Sequence, residues 1–335
     1  MIRKKLKVDA VIVHYSDYDL VLYKNKRFKI CFQTEEFKNI YFLLRKGTSL
    51  IELALIYSIE YVQLLWESLL QMGVLIDDLE NLHNNNSYEK QLFHLENLAP
   101  TPIHLQQTLS EKCIAIIGVG EIGSILLDQL IRLGIQNYIL IDDDDVQIHH
   151  LNKQFMYSLK NVGFSKVDVC SSKIKKSHPN GHVSVFKKSI KNQDDLSNIF
   201  EKSIPDLVIN ASDEPHLFNQ LALKVCSEYQ IPYITGSIGP NFGSVGPFID
   251  QPSDMIQFLK GTECEQTSKN IKVGTPFLGT QKPSNCIIPI LVAFDAVRFL
   301  LNKQPISYNK ILHVDFNDLP CQTTSILNRR FEYFN

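Results

Sequence analysis

The sequence predicts an α/β protein: a mostly parallel sheet with helices on both faces, preceded by a small α+β domain. Two patterns predict the larger part. Short apolar runs alternate with helical stretches from Cys113 onward, and a glycine-rich turn links the first run to its helix. A third pattern predicts the smaller part: three segments of two-residue alternation followed by three of helical spacing, all before residue 80. The chain divides on this reading into residues 1–80, a linker over 81–112 and residues 113–335.

VDAVIVH, YDLVLYK and RFKICFQ alternate at period two, and Phe28, Ile30 and Phe32 share one face. EEFKNIYFLLRKG reads as a helix ended by Gly47, with Thr48 capping the next. EYVQLLWESLLQMG places Val62, Leu65, Trp66, Leu69 and Leu70 on one helical stripe, and a short strand follows. Three strands and three helices in this order make a winged-helix-like domain, a type that often reads DNA with its third helix. Here that helix carries two glutamates and no lysine or arginine, which argues against phosphate contacts and so against nucleic acid.

The asparagine run and paired prolines of NLHNNNSYEKQLFHLENLAPTP mark a linker, within which YEKQLFHLENL is spaced for a short arm helix. Then come CIAIIG, a helix to Leu133, NYILID, HVSVFK, DLVINAS and PYITGS, a βαβ succession that calls for a parallel sheet. NCIIPILVAFDAVRFLLN is apolar almost all round, so burial of this last helix is expected.

Composition narrows the class. With 34 basic against 36 acidic residues, no net field recruits nucleic acid or anionic lipid. The seven cysteines form no C-x-x-C, so no complete zinc ribbon or thioredoxin motif is present and reduced thiols are expected. The first apolar run is broken at Asp9 and His14, too short for a signal peptide, and no segment approaches a membrane span. These features lead to the expectation of a cytoplasmic protein.

Gly118, Gly120 and Gly123 form G-x-G-x-x-G between a strand and a helix, where glycines admit phosphates to backbone N–H groups at a helix start. Asp142 ends the next strand, where an acid would meet ribose hydroxyls. To this point a dinucleotide carrier and ATP fit equally. Lys153 and Lys166 separate them, because a pocket that breaks the α–β bond of ATP must neutralise charge building on phosphate oxygens. Asp213 closes DLVINASDE. Other features have plainer readings: Asp143 and Asp145 as a solvated loop, HPNGH (His178 to His182) as a surface loop, and Cys286 as a buried thiol opening a helix rather than a nucleophile.

The ordered series GVGEIG, LIDDDD, HLNKQ, NVGFSK and VINASDE resembles the ubiquitin-activating-enzyme-like adenylyltransferase superfamily, with its thiamine and molybdopterin biosynthesis members, from about Tyr88 to the end. The resemblance implies a Rossmann-like domain that binds ATP and Mg²⁺. It puts Asp142 and Asp144 by ribose and metal, Lys166 on the phosphates and Asp213 on Mg²⁺ or the reacting centre. It also implies a homodimer in which Lys90 of the arm reaches a neighbouring site. Lys153 stands where the family has arginine, His150 where it has asparagine, and Glu121 replaces a loop glycine. Of the family's four zinc cysteines only Cys264 and Cys321 have counterparts, with Gly261 and Thr324 at the partner positions, so no zinc is expected.

FKNIYFLLRKGTSLIELA and VQLLWESLLQMGVLID resemble the peptide-recognition domain of enzymes that tailor ribosomally made peptides. By that resemblance a leader peptide adds a strand along Arg27, Phe28, Lys29, Ile30, Cys31, Phe32 and Gln33, and tucks apolar side chains against Val62, Leu65, Trp66 and Leu69. The alternative is that these apolar residues are simply the domain's own core. Together the two domains are similar to the enzymes of microcin C and pantocin A biosynthesis. The expected reaction is ATP-dependent activation of a peptide carboxylate, a glutamate side chain in the pantocin-like case, followed by cyclisation with loss of water. A microcin-like adenylation of the peptide C-terminus, a non-catalytic peptide-binding protein and a dehydrogenase are the alternatives.

Overall fold

The computed structural model describes residues 3–7, 9–31, 36–78, 87–95, 98, 102–212, 216–268, 282–316 and 321–325. The chain divides into two units, Met1–Thr108 and Leu109–Asn335.

In the first unit β1 (Lys4–Leu6) is followed by a meander of β2 (Val11–His14), β3 (Asp19–Tyr23) and β4 (Lys26–Ile30). Then come α1 (Glu36–Lys46), α2 (Leu50–Ala54), α3 (Ile59–Gln71), β5 (Leu75–Asp77) and the short α4 (Glu89–Leu95). β1, which precedes the first strand expected from the sequence, pairs antiparallel with β5. Gly47 ends α1 with φ +86, and a Cβ there would lie 1.8 Å from Asp78 Oδ2. The cap of α2 is Ser49 rather than Thr48: Ser49 Oγ accepts from Glu52 N–H, and Glu52 Oε2 accepts from Ser49 N–H. Val21, Ile40, Leu44, Leu53, Val62, Leu65, Trp66 and Leu69 form the core. Leu70 departs from the expected stripe and is 42% exposed, since a stripe wide enough to include it exceeds what the small sheet covers.

α5 (Pro102–Glu111) lies inside the segment expected to be linker and spans the boundary of the two units. The second unit runs β6 (Cys113–Ile117), α6 (Glu121–Arg132), β7 (Asn137–Ile141), α7 (Lys166–Ser177), β8 (Val183–Phe186), α8 (Gln193–Phe200), β9 (Leu207–Asn210) and α9 (His216–Tyr229). It continues through β10 (Tyr233–Ile238), β11 (Phe242–Val245), α10 (Pro252–Ser268), α11 (Lys282–Leu300), β12 (Lys310–Asp315) and β13 (Cys321–Ser325). One eight-stranded sheet has the order β13-β12-β11-β10-β9-β6-β7-β8. β10, β9, β6, β7 and β8 are parallel, and β11 to β13 extend the sheet antiparallel.

Alternation along the central strands sends Ala115, Ile117, Ile139, Ile141 and Val208 into a core with α8, α9 and α10, while α6, α7 and α11 pack together and against the sheet on the other side. The chain leaves β6 for β7 on one side and returns to β9 on the other, so the sheet has its switch point between β6 and β9, where open α/β sheets place ligands.

Two expectations are corrected here. α11 is not buried all round: Ile290 is 48% and Phe294 49% exposed, because a helix on a sheet hides one face, and an all-apolar sequence does not reveal which. On its hidden face Asp295 is buried and accepts from Ile306 N–H at 2.7 Å, Ser307 N–H at 2.8 Å and Ser307 Oγ at 2.6 Å. His178 is no surface residue either; it is buried with Nε2 2.8 Å from the Ile131 carbonyl, joining the ends of α7 and α6. Among the described residues no helix is long and apolar enough to cross a membrane.

Candidate functional site

At the carboxyl end of β6 the turn is built as its glycines require. Gly118 has φ +85, and a Cβ on it would lie 2.8 Å from the Ala211 carbonyl oxygen. A Cβ on Gly123 would fall 1.9 Å from Gly118 O, so only glycine lets α6 close on the strand. Gly120 is the N-cap of α6 and brings no capping side chain, which leaves the positive end of the helix dipole open to an anion.

Asp142, just past β7, accepts from Val119 N–H at 2.8 Å through Oδ2 and from Asp144 N–H at 2.9 Å through Oδ1. It therefore fixes the glycine turn and the aspartate loop against each other. Burial raises its pKa above the ordinary carboxylate value, against the opposing pull of Lys166 and the two N–H donors. Carboxylate oxygens of Asp142, Asp143 and Asp144 come within 4.8 Å of one another, and Asp143 and Asp144 are exposed. Three hard oxygen donors are a fitting set for Mg²⁺. Asp213 lies outside the described residues.

Lys166 is the first residue of α7 and is 3% exposed. A cation at a helix N-terminus opposes the macrodipole, and a buried one also loses hydration. It is held there by Asp144: the ammonium donates to Oδ2 at 2.7 Å, and Lys166 N–H donates to the Asp144 carbonyl at 3.1 Å. Local rules broken by a well-held residue mark function. Lys153 is half-buried and, among the described residues, has no ion pair. His150 is buried with Nδ1 accepting Gln147 N–H at 3.1 Å. Burial, with Lys166 and His149 beside it, lowers its pKa to about 4, so the ring is neutral and carries its proton on Nε2.

Two further polar groups were not singled out from the sequence. Gln154 is buried beside the glycine turn, its Nε2 3.9 Å from where a Gly120 Cβ would be, and its Oε1 accepts no hydrogen bond from the described residues. Ser165 is the N-cap of α7, yet its buried Oγ makes no cap bond and has no described partner. Buried polar atoms are nearly always satisfied, so two orphans on the loops around one crevice fit an absent polar ligand. Their signal in the sequence was membership of HLNKQ and NVGFSK, each directly beside a lysine.

In the first unit β4 is an edge strand among the described residues. Arg27, Lys29 and Cys31 are exposed, Phe28 is half-buried and Ile30 is 5% exposed; Phe32 and Gln33 lie outside the described residues. Val62 and Leu65 are 0% and 1% exposed, and Trp66 and Leu69 join them in the core. As folded these four have no surface to give a peptide, which corrects the expectation for Val62 and Leu65 in favour of the core reading. Lys90, on α4, has an exposed side chain 3.3 Å from Glu89 Oε1. The side chains of Cys264 and Cys321 lie outside the described residues, and Cys286 is half-buried.

The profile described as the ThiF family matches residues 89–331. The chain is 32% identical over 133 residues to a tRNA threonylcarbamoyladenosine dehydratase of Bacillus subtilis (strain 168), covering 38% of this chain and 50% of that one. It is 27% identical over 230 residues to a probable molybdopterin-synthase adenylyltransferase of Pyropia yezoensis, covering 68% and 58%. The chain thus spans 50% to 58% of the length of these relatives. In fold it is similar to the crystal structure of E. coli MccB with AMPCPP and MccA, with TM-score 0.74, 21% identity and 97% of each chain covered. It is also similar to the crystal structure of PaaA, with TM-score 0.68, 21% identity and 82% and 95% covered.

Proposed function

The chain belongs to the ThiF family, and from that premise we propose that it uses ATP to activate a carboxylate of a ribosomally made precursor peptide. The observation that carries the reading is Lys166, a buried cation ion-paired to Asp144 in the crevice at the sheet's switch point. A spectator pyrophosphate would not need it; a breaking phosphoanhydride does.

On this reading the triphosphate enters at Gly118, Gly120 and Gly123 and the open end of α6, with Asp142 and Asp144 at the ribose side. A peptide carboxylate oxygen attacks the α-phosphorus, the bond to the β-phosphate oxygen breaks, and pyrophosphate leaves with its electron pair. Lys166 and Lys153 offset the negative charge that grows on the phosphate oxygens. Mg²⁺ would be held by the Asp142–Asp144 carboxylates together with Asp213, and when bound adds further charge neutralisation. A nucleophile of the same peptide then attacks the acyl carbon and AMP departs. With a glutamate side chain as the activated group the net change is cyclisation with loss of water. Neutral His150 offers a hydrogen bond and leaves the positive charge of the site to the two lysines.

The peptide docks as an added strand on β4, the edge of the meander that is open among the described residues of the first unit. The protein acts in the cytoplasm as a homodimer, with Lys90 reaching the neighbouring copy's site, and it uses no zinc. A second reading, activation of the peptide's C-terminal carboxylate, is favoured by the match along 97% of both chains to MccB, which was crystallised with MccA. Incubating the protein with ATP and short peptides encoded beside its gene tests both. Peptide-stimulated AMP release with a product lighter by one water supports the first reading. An AMP unit retained at the C-terminus supports the second, and neither change refutes adenylation.

A further inference from the structure

The open edge of β4 joins two properties at the same residues. β3 and β4 are linked by the two-residue turn Lys24–Asn25, and their register pairs Tyr23 with Lys26, Leu22 with Arg27, Val21 with Phe28, Leu20 with Lys29 and Asp19 with Ile30. A two-residue hairpin closes on a hydrogen-bonded pair, and such pairs alternate along an antiparallel ladder. Lys26, Phe28 and Ile30 therefore spend their backbone groups on β3, while Arg27 and Lys29 turn theirs to the open edge. Arg27 and Lys29 also carry the exposed side chains, and the side chain of Phe28 packs against the core.

Among the described residues the charge at this edge is uncompensated. KNKRFKIC, from Lys24 to Cys31, holds four cations and no acid. Arg27 has no ion pair among the described residues, and the Lys29 ammonium sits 4.1 Å from the Tyr18 ring centroid, which leaves its charge in place. Across the strands on the same face stand Leu22 and Val11 beside Arg27, and Leu20 and Val13 beside Lys29, all apolar. Cations on an open edge discourage pairing with like edges, and the same cations select a strand of opposite charge.

An added strand that bonds to Arg27 and Lys29 must set two of its own residues, spaced i and i+2, on this outer face opposite them. The residue between them falls on the inner face beside Phe28. Resting on the reading that a peptide adds to this edge, we propose that the docking segment has an acid–apolar–acid pattern, with its two carboxylates against Arg27 and Lys29.

The test is fluorescence anisotropy of the full chain with three fluorescein-labelled decapeptides alternating Glu-Leu, Gln-Leu or Lys-Leu. Glu-Leu should bind about tenfold tighter than Gln-Leu, as two charge pairs at a strand edge allow. The double variant Arg27→Glu/Lys29→Glu should transfer the preference to Lys-Leu, a rescue that misfolding does not produce. Lys29→Pro should abolish binding of all three, since it removes an outward N–H while the bonds to β3 stand. Equal binding of Glu-Leu and Gln-Leu, both lost in Lys29→Pro, would overturn the acidic pattern and leave strand addition intact. Binding that Lys29→Pro does not change, or no binding at all, would overturn the docking reading itself.

Discussion

Lys166 Nζ lies 2.7 Å from Asp144 Oδ2, joining the first turn of α7 to the loop after β7. The two partners are unequal: the lysine side chain is 4% exposed and the aspartate 59%. The lysine bears nearly all the desolvation, and the aspartate keeps its water.

That inequality sets the outcome of Lys166→Met. Removing the buried cation leaves Asp144 in water and takes one of three opposing pulls from half-buried Asp142, which keeps its two N–H donors, so the usual penalty for breaking a buried pair is small. Stability by urea unfolding should stay within about 1 kcal/mol of the parent or rise. Peptide-dependent AMP release should fall by roughly 10²-fold, the scale of a lost transition-state charge stabiliser. Large destabilisation with unchanged turnover would make Lys166 structural.

Gly123→Ala and Gly261→Ala should move in opposite directions. The added methyl at Gly123 meets backbone oxygen at 1.9 Å, so β6 and α6 must part, at a cost of about 1–3 kcal/mol and with loss of ATP affinity. Gly261 lies in α10 with nothing within 4 Å of a Cβ, and alanine there should stabilise by about 0.4–1 kcal/mol. Paired melting curves and ATP titrations check both.

His150 sets an acid limit on stability. Its pKa is lowered from 6.5 to about 4 by burial, with Lys166, His149 and Lys153 adding to the shift. Between those two values the unfolded chain binds a proton that the folded one refuses, so stability falls as pH drops from 6.5 toward 4. Urea unfolding at pH 7 and pH 5 should show this loss in the parent and a smaller one in His150→Gln. Equal losses would remove His150 from the account.

Asp295→Ala should damage the fold of the second unit and not the first. It strands the Ser307 N–H and hydroxyl in the interior and frees the part-buried Ile306 N–H, a loss of about 2–4 kcal/mol. Hydrogen exchange should show lost protection around α11 with β1 to β5 unchanged.

Much of this was legible in the sequence because the physics is local. The strand–glycine–helix order at Gly118, Gly120 and Gly123, and the alternation of the central strands, depend on neighbours a few residues away. What depends on distant packing was not legible. Whether Val62 and Leu65 face a ligand or a core is decided by the residues of other elements that gather around them, and the period of α3 is the same either way. The exposed flank of α11 and the burial of His178 hang on contacts with α6. Ser49 took the cap from Thr48 because Glu52 stands three residues after it. Gln154 and Ser165 became visible as candidates only once burial showed atoms without partners.

Isothermal titration of the full chain with ATP, AMP and NADH, for the parent and Lys166→Met, tests the triphosphate-cleaving pocket most directly. ATP should bind the parent and weaken by about tenfold in Lys166→Met, the worth of one hydrogen bond to a charged group in the ground state, AMP should change far less, and NADH should give no saturable heat. NADH binding as tightly as ATP, or ATP affinity unaltered in Lys166→Met, would contradict the account.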